Sequence, residues 1–292
     1  MKRMRIALIG VGSMGTKHAS VVARASDARL ALVIDRDLEH AVTLAREHGA
    51  AATRRLEAAM HCDAAIVATA TPNHREVAMT LIEAGLPVLV EKPLASTSAD
   101  VEDLIAAADR LDRILMCGFV ERFNPRLDPI FALAQHGVTS LEALRVGPLP
   151  RRVHSSVVDD VLLHDLDLVL RLMGDDPVTA LDAQADDWDA GAPWPETVRC
   201  QLGFASGATA TLHASRVAAE RQRVFTATRG AVSHRADLAD AVGNPLARQL
   251  ARLLALTRRS TACDRAAERA GIMPAHALAD RVRDLIGATC AH

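Results

Sequence analysis

Tyrosine is absent, and five phenylalanines with two tryptophans make the aromatic share only 2%. Alanine, leucine and valine must therefore fill the core. Neither sign of charge is in excess: 34 Lys and Arg stand against 36 Asp and Glu, for a formal net charge of -2. No global basic field exists to attract nucleic acid or anionic lipid, so neither is expected as a partner. The five cysteines, Cys62, Cys117, Cys200, Cys263 and Cys290, are scattered singly without a C-x-x-C pair. They offer no disulfide framework, and a reducing, cytoplasmic compartment is expected. Long apolar runs are also missing. Ile6 to Ile9 follows a basic start as in a signal peptide, but Gly10 and Gly12 interrupt it at once. Nothing approaches the roughly 20 residues of a membrane-spanning helix. What remains is a globular composition, 50% hydrophobic and 24% charged over 292 residues, long enough for two domains.

The first 118 residues alternate between two periods. Arg5 to Ile9 is a short apolar run, Ser13 to Arg24 a helical one, Leu30 to Ile34 apolar again, and Leu38 to His48 helical and closed by Gly49. Ala64 to Ala68, Glu76 to Ala84, Pro87 to Val90, Ser98 to Arg110 and Ile114 to Cys117 continue the alternation. The pattern predicts βαβ units and a doubly wound parallel sheet over 1–118. Beyond that the texture changes. Val198, Cys200, Leu202 and Phe204 occupy every second position, Ser206-Gly207 signals a turn, and Ala208, Ala210, Leu212 and Ala214 resume the alternation. With Leu141 to Val146, Val178 to Ala185 and Arg223 to Thr228, residues 119–292 read as a second α/β domain with an open, mostly antiparallel sheet. Asp159 to Met173 reads as a helix stopped by Gly174, and the tail beyond Asn244 as Arg- and Ala-rich helix.

Gly10-Val11-Gly12-Ser13-Met14-Gly15 is a G-x-G-x-x-G run that follows the first strand and opens the first helix, and Asp35 stands 20 residues past Gly15 at the end of the second strand. The chemistry asks for this arrangement. Gly10 permits a tight turn, Gly12 lets the backbone approach a pyrophosphate, Gly15 allows close helix packing, and the helix N-terminus turns its N–H groups to the phosphates. A dinucleotide is expected, held by Gly10, Gly12, Ser13, Met14 and Gly15. Asp35 would accept from both adenosine ribose hydroxyls and repel a 2′-phosphate, which favours NAD. Arg36 could stack on adenine or meet a 2′-phosphate, so NADP stays open as the second choice.

Glu91-Lys92-Pro93 follows the strand Pro87 to Val90, at the carboxyl end of the sheet where doubly wound folds bind ligands. Asp160 and His164 lie at i and i+4 of a predicted helix and can touch, and Asp167 extends the stripe. The stripe admits two readings, a solvated face with a local ion pair or an acid–base pair. Histidine suits the second, because a neighbouring carboxylate would fix its tautomer and stabilise the imidazolium. A metal site is not expected: Asp165 points to another helix face and no further ligand cluster appears.

Gly10-x-Gly12-x-x-Gly15-x-x-His18, Thr69-x-x-x-x-His74, Glu91-Lys92-Pro93 and Asp160-x-x-x-His164-Asp165-x-Asp167, in this order, resemble the Gfo/Idh/MocA oxidoreductases over about residues 1 to 240. The resemblance implies a Rossmann domain for NAD(P), with Thr69, His74 and Glu91 joining the cofactor site. It implies a second domain whose open sheet forms the substrate wall and often an oligomer interface, so a homo-oligomer is expected. Lys92 would hydrogen-bond the reacting hydroxyl and His164 would be the general base, partnered by Asp160, in a cleft between the domains. Glu121-Arg122-Phe123-Asn124-Pro125, together with Arg145 to Arg152 and Val158 to Asp167, is similar to the branch of UDP-N-acetylglucosamine 3-dehydrogenases. The substrate would then be a sugar or sugar nucleotide, oxidised at C3. Arg122, Arg151 and Arg152 would be candidates for the diphosphate, or else surface arginines. Asn124 would bind a sugar hydroxyl or cap the turn before Pro125. Two alternatives keep the fold: a dinucleotide-binding regulator without catalysis, and a glycosidase that uses NAD transiently.

Overall fold

The computed structural model describes residues 3–149, 155–186, 192–239 and 243–289, with side chains to residue 287. The chain folds into two compact units, the first made of Met1–Phe123 with Pro245–Met273 and the second of Asn124–Asn244 with Pro274–His292. The first unit begins with β1 (Met4–Ile9), α1 (Ser13–Arg24), β2 (Ala28–Ile34), α2 (Leu38–Glu47), β3 (Ala51–Thr53) and β4 (Ala64–Val67). It continues with α3 (His74–Glu83), β5 (Val88–Val90), α4 (Ser98–Arg110) and β6 (Leu115–Cys117). Its sheet is wholly parallel in the order β3-β2-β1-β4-β5-β6. This is the doubly wound arrangement expected from the alternating periods. The central strands read as unbroken apolar runs because helices cover both faces: β4 and β5 are buried at every residue. The reversal of strand order between β1 and β4 puts the ends of β1, β4 and β5 at the crevice where such sheets receive ligands.

The second unit carries α5 (Asp128–Ala134), β7 (Ser140–Val146), α6 (Leu163–Met173), β8 (Val178–Asp186), β9 (Thr197–Phe204), β10 (Thr209–Ser215), β11 (Gln222–Arg229) and β12 (Val232–Asp237). Its strands run β12-β11-β7-β10-β9-β8, antiparallel except where β7 meets β10. Gly207, at φ +87, closes the β9–β10 hairpin at the expected Ser206-Gly207 turn. Residues alternate between the faces. Leu141, Ala143, Val198, Cys200, Leu202, Phe204, Ala210, Leu212, Phe225 and Ala227 are buried, whereas Glu142, Arg199, Gln201, Thr209 and Thr211 are exposed. The sheet is therefore packed on one side only. Burial, with the nearby Asp182 carboxylate, pushes the Cys200 thiol up to about 12, so it stays a core thiol.

The chain ends in α7 (Pro245–Arg258), α8 (Ala262–Ala270) and α9 (Ile272–Thr289). The expected division at residue 118 misplaces this tail. Leu250, Leu253, Leu254 and Leu256 of α7 join the core formed by β1, β2, α1 and α2, so α7 and α8 belong to the first unit. Arginines fix them there: Arg258 bonds Asp27 Oδ2 at 2.6 Å, Arg269 bonds Asp109 Oδ1 at 2.5 Å, and Arg265 pairs with Asp112. The tail's periodicity predicts helix correctly, but periodicity alone does not say which body an apolar stripe covers. The helix expected over Asp159 to Met173 also differs. Val158–Leu162 is a π turn, in which the Leu163 N–H donates to Val158 O, and α6 starts only after it. Such wide turns recur at functional sites.

Candidate active site

Gly10 adopts φ +100, and a Cβ there would sit 2.4 Å from Ala68 O. A Cβ on Gly15 would sit 2.1 Å from Gly10 O. The loop after β1 is thus threaded between the end of β4 and the first turn of α1, with no room for side chains. Gly12 differs, because a Cβ there would have nothing within 4 Å. It is the N-cap of α1, with no side-chain cap, and the first turn, which includes Ser13 and Met14, has no acidic residue. A helix N-terminus of this kind, without an acidic neighbour, favours an anion. Asp35 lies half-buried at the end of β2; Oδ2 accepts from the Val11 N–H at 2.9 Å and Oδ1 from the Asp37 N–H at 2.8 Å. The same carboxylate thus pins the glycine loop and remains positioned for a ribose. Arg36 is exposed beside it, and its carbonyl accepts from Arg54 Nε at 3.0 Å. These residues fit a dinucleotide.

Lys92 leaves β5 half-buried, and its backbone is held from several directions. Glu91 turns inward, 6% exposed, where Oε1 meets His18 Nε2 of α1 at 2.6 Å. Its Oε2 accepts from the Lys92 N–H at 3.3 Å. His74, 1% exposed, sets Nδ1 2.9 Å from Pro93 O and Nε2 3.0 Å from Thr69 O, tying the loop after β4 to the Lys92-Pro93 segment, whose peptide bond is cis. A Cβ on Gly118 would lie 2.8 Å from Lys92 N, so the backbone beyond β6 presses on the same place. Glu91 and His74, both expected at the cofactor, turn their polar atoms to His18, Lys92, Pro93 and Thr69. Sequence reasoning quotes His18 in a motif without giving it a role and misses Gly118; a glycine after a strand and a helical histidine carry no signal of a partner distant in the chain.

In the second unit the π turn and the start of α6 carry Asp160 and His164. Asp160 is 43% exposed, with Oδ2 3.8 Å from Arg216 Nη1, and His164 is half-buried. The next acids are buried: Asp165 and Asp167 are each 2% exposed, which removes a fully solvated stripe as an account of this segment. Asp165 turns to the sheet, where Arg145 of β7 bonds both of its oxygens, Nε at 3.0 and 3.1 Å and Nη2 at 2.8 Å. This forked pair seats the first turn of α6 on β7. Replacing Arg145 by leucine is expected to cost about 3–5 kcal/mol by taking the forked guanidinium from a buried carboxylate, whereas replacing Arg145 and Asp165 together by leucine costs far less. Calorimetric melting of the two variants checks this.

The candidate diphosphate residues fall differently. Arg122 stacks on the Phe119 ring, 4.7 Å from its centroid, and Nη2 donates to Gly271 O at 3.1 Å. It thus secures the junction of α8 and α9 within the first unit. Asn124 Oδ1 accepts from the Arg126 N–H at 3.1 Å, capping the short turn Pro125–Leu127. Arg151 and Arg152 lie outside the described residues. No cluster of three or more metal-ligating side chains occurs among the described residues, and no described helix is long and apolar enough to cross a membrane.

Residues 4–119 match the model of an oxidoreductase family with an NAD-binding Rossmann fold, and residues 142–233 match a GFO/IDH/MocA C-terminal domain. A UDP-N-acetylglucosamine 3-dehydrogenase of Acidithiobacillus ferrooxidans is 32% identical over 77% of this chain and 72% of its own length. An inositol 2-dehydrogenase of Corynebacterium glutamicum is 30% identical over 59% of this chain and 55% of its own. Among solved structures, the same Acidithiobacillus ferrooxidans dehydrogenase superposes with a TM-score of 0.83 at 27% identity, covering 99% of both chains. With an NAD-binding loop, a second-unit sheet of the matching kind and relatives that are dehydrogenases of sugar-like alcohols, the chain belongs to the Gfo/Idh/MocA family of oxidoreductases.

Proposed function

We propose that the protein oxidises a ring hydroxyl of a sugar nucleotide, C3 of a UDP-N-acetylhexosamine, with NAD as the acceptor. The observation that carries this reading is the Lys92 loop, held by Glu91 and Gly118 at the crevice end of the NAD-binding sheet. The 32% identity to a UDP-N-acetylglucosamine 3-dehydrogenase supports the choice of substrate. Gly10, Gly12, Ser13, Met14 and Gly15 would hold the pyrophosphate and Asp35 the adenosine ribose. Bound NAD supplies the hydride acceptor. Lys92 hydrogen-bonds the reacting oxygen and stabilises the negative charge that develops on it. An imidazole nitrogen of His164 takes the hydroxyl proton, and Asp160 orients the ring and stabilises its protonated form. The exposed face of the second sheet serves self-association into a homo-oligomer.

Absorbance of reduced nicotinamide tests the reading. UDP-N-acetylglucosamine, UDP-N-acetylgalactosamine, free sugars and inositols are each offered with NAD and with NADP. The expected result is turnover of a UDP-N-acetylhexosamine to its 3-keto product, with NAD preferred over NADP by at least about tenfold because Asp35 repels a 2′-phosphate. Turnover of inositols alone would move the substrate class to cyclic polyols. Silence with every alcohol would remove the catalytic reading.

A further inference from the structure

Arg216, the residue after β10, is a buried cation with a 4% exposed side chain. Its Nε donates to Glu196 Oε2 at 2.7 Å, and its backbone N–H donates to Glu196 O at 2.9 Å. The guanidinium is therefore fixed by the residue just ahead of β9. From there Nη1 donates to Ser155 O at 2.8 Å and stands 3.8 Å from Asp160 Oδ2. Ser155 lies immediately before the segment that winds into the π turn, and Asp160 lies within that turn. One planar group thus holds both the entry of the turn and the carboxylate it presents. Its Nη2 is buried without a hydrogen-bond partner among the described residues. A buried guanidinium is a weak device for stability alone, since buried ion pairs commonly do no better than apolar packing.

We propose that Arg216 is a positioning residue for proton transfer: anchored by Glu196, it fixes the π turn and the Asp160 carboxylate that partners His164. The inference rests on the acid–base reading of Asp160 and His164. Lysine cannot replace the fork, because a single ammonium cannot serve Glu196, Ser155 and Asp160 at their separate positions. The Asp160 carboxylate is half-exposed, and the permanently charged guanidinium beside it favours the rotamer that faces Arg216.

The test uses the full chain with NAD and its best UDP-N-acetylhexosamine, carrying Arg216→Met or Arg216→Lys, each alone and combined with Asp160→Asn. If Arg216 acts through Asp160, Arg216→Met lowers kcat at least about tenfold, leaves KM for NAD within about twofold, and costs no more than about twofold further in the Asp160→Asn background. Equal losses in both backgrounds, or an unchanged kcat, overturn the proposal. Should Arg216→Met fail to fold, Arg216→Lys carries the same comparison. Hydrogen exchange of the NAD-bound proteins gives a readout that needs no substrate. Amides of 156–164 are expected to exchange at least about tenfold faster in Arg216→Lys, with the first unit unchanged. Unaltered exchange in that segment also overturns the proposal. A chain that oxidises none of the alcohols offered would sink the assigned activity, and the exchange result would then decide the role of Arg216.

Discussion

Replacing His164 by alanine is expected to lower kcat for alcohol oxidation by about 10²- to 10⁴-fold while leaving the affinity for NADH unchanged. The two halves of this expectation have separate grounds. The loss follows from the role of the imidazole: a hydroxyl does not yield its proton readily at neutral pH, and removing a positioned base returns that burden to water. The retained affinity follows from where the parts sit in the chain. Gly10, Gly12, Gly15 and Asp35 all belong to the first unit, whereas His164 belongs to the second. The measurements are steady-state turnover and NADH fluorescence titration on the same preparation. Retained turnover with weakened NADH binding would give His164 to the cofactor and leave the base unassigned.

The parts of the molecule that are legible in the sequence are those whose signal is local. β1, α1 and the glycine loop declare themselves because the loop needs glycine where Gly10 takes φ +100 and where Gly15 meets a carbonyl. The β9–β10 hairpin declares itself through a strict alternation and a Ser-Gly turn. β3 does not, because Ala51, Ala52 and Thr53 offer neither length nor apolar alternation. β12 is an edge strand, Val232–Asp237, with one buried residue, so it pairs through its backbone and leaves little trace in its side chains. The π turn is invisible to any argument from spacing that assumes i to i+4 hydrogen bonds. The candidates Lys92, Asp160 and His164 can be named from their motifs, but what holds each of them within its own unit cannot. His18 with Glu91, Arg145 with Asp165, and Glu196 with Arg216 are pairings between elements distant in sequence. A lone arginine or histidine in a string of letters gives no sign of the partner that the topology will bring to it.

Alanine scanning of the glycine loop should separate two demands that the G-x-G-x-x-G pattern merges. At Gly15 the added methyl meets a backbone oxygen at 2.1 Å, and neither the loop nor α1 can yield without disturbing the other. Gly15→Ala is therefore expected to destabilise the fold by about 3 kcal/mol or more, seen as a Tm lower by roughly 5 °C or more. NAD affinity would fall as a consequence. At Gly12 the backbone lies at φ -67 and ψ -173, extended geometry open to any residue, and nothing stands within 4 Å of a new Cβ. Alanine caps a helix less well than glycine, but it also narrows the unfolded ensemble, so the two effects largely offset and the Tm of the free protein should remain within about 2 °C of the parent's. The pyrophosphate is affected directly: the methyl would occupy the space across which the α1 amides reach it. Gly12→Ala should thus raise the Kd for NADH by about tenfold or more with an intact melting curve, and should abolish the stabilisation that added NAD gives the parent. Differential scanning calorimetry with and without NAD reads both effects. If Gly12→Ala melts as early as Gly15→Ala, or if it binds NADH as the parent does, the open space at Gly12 is not where the dinucleotide lies.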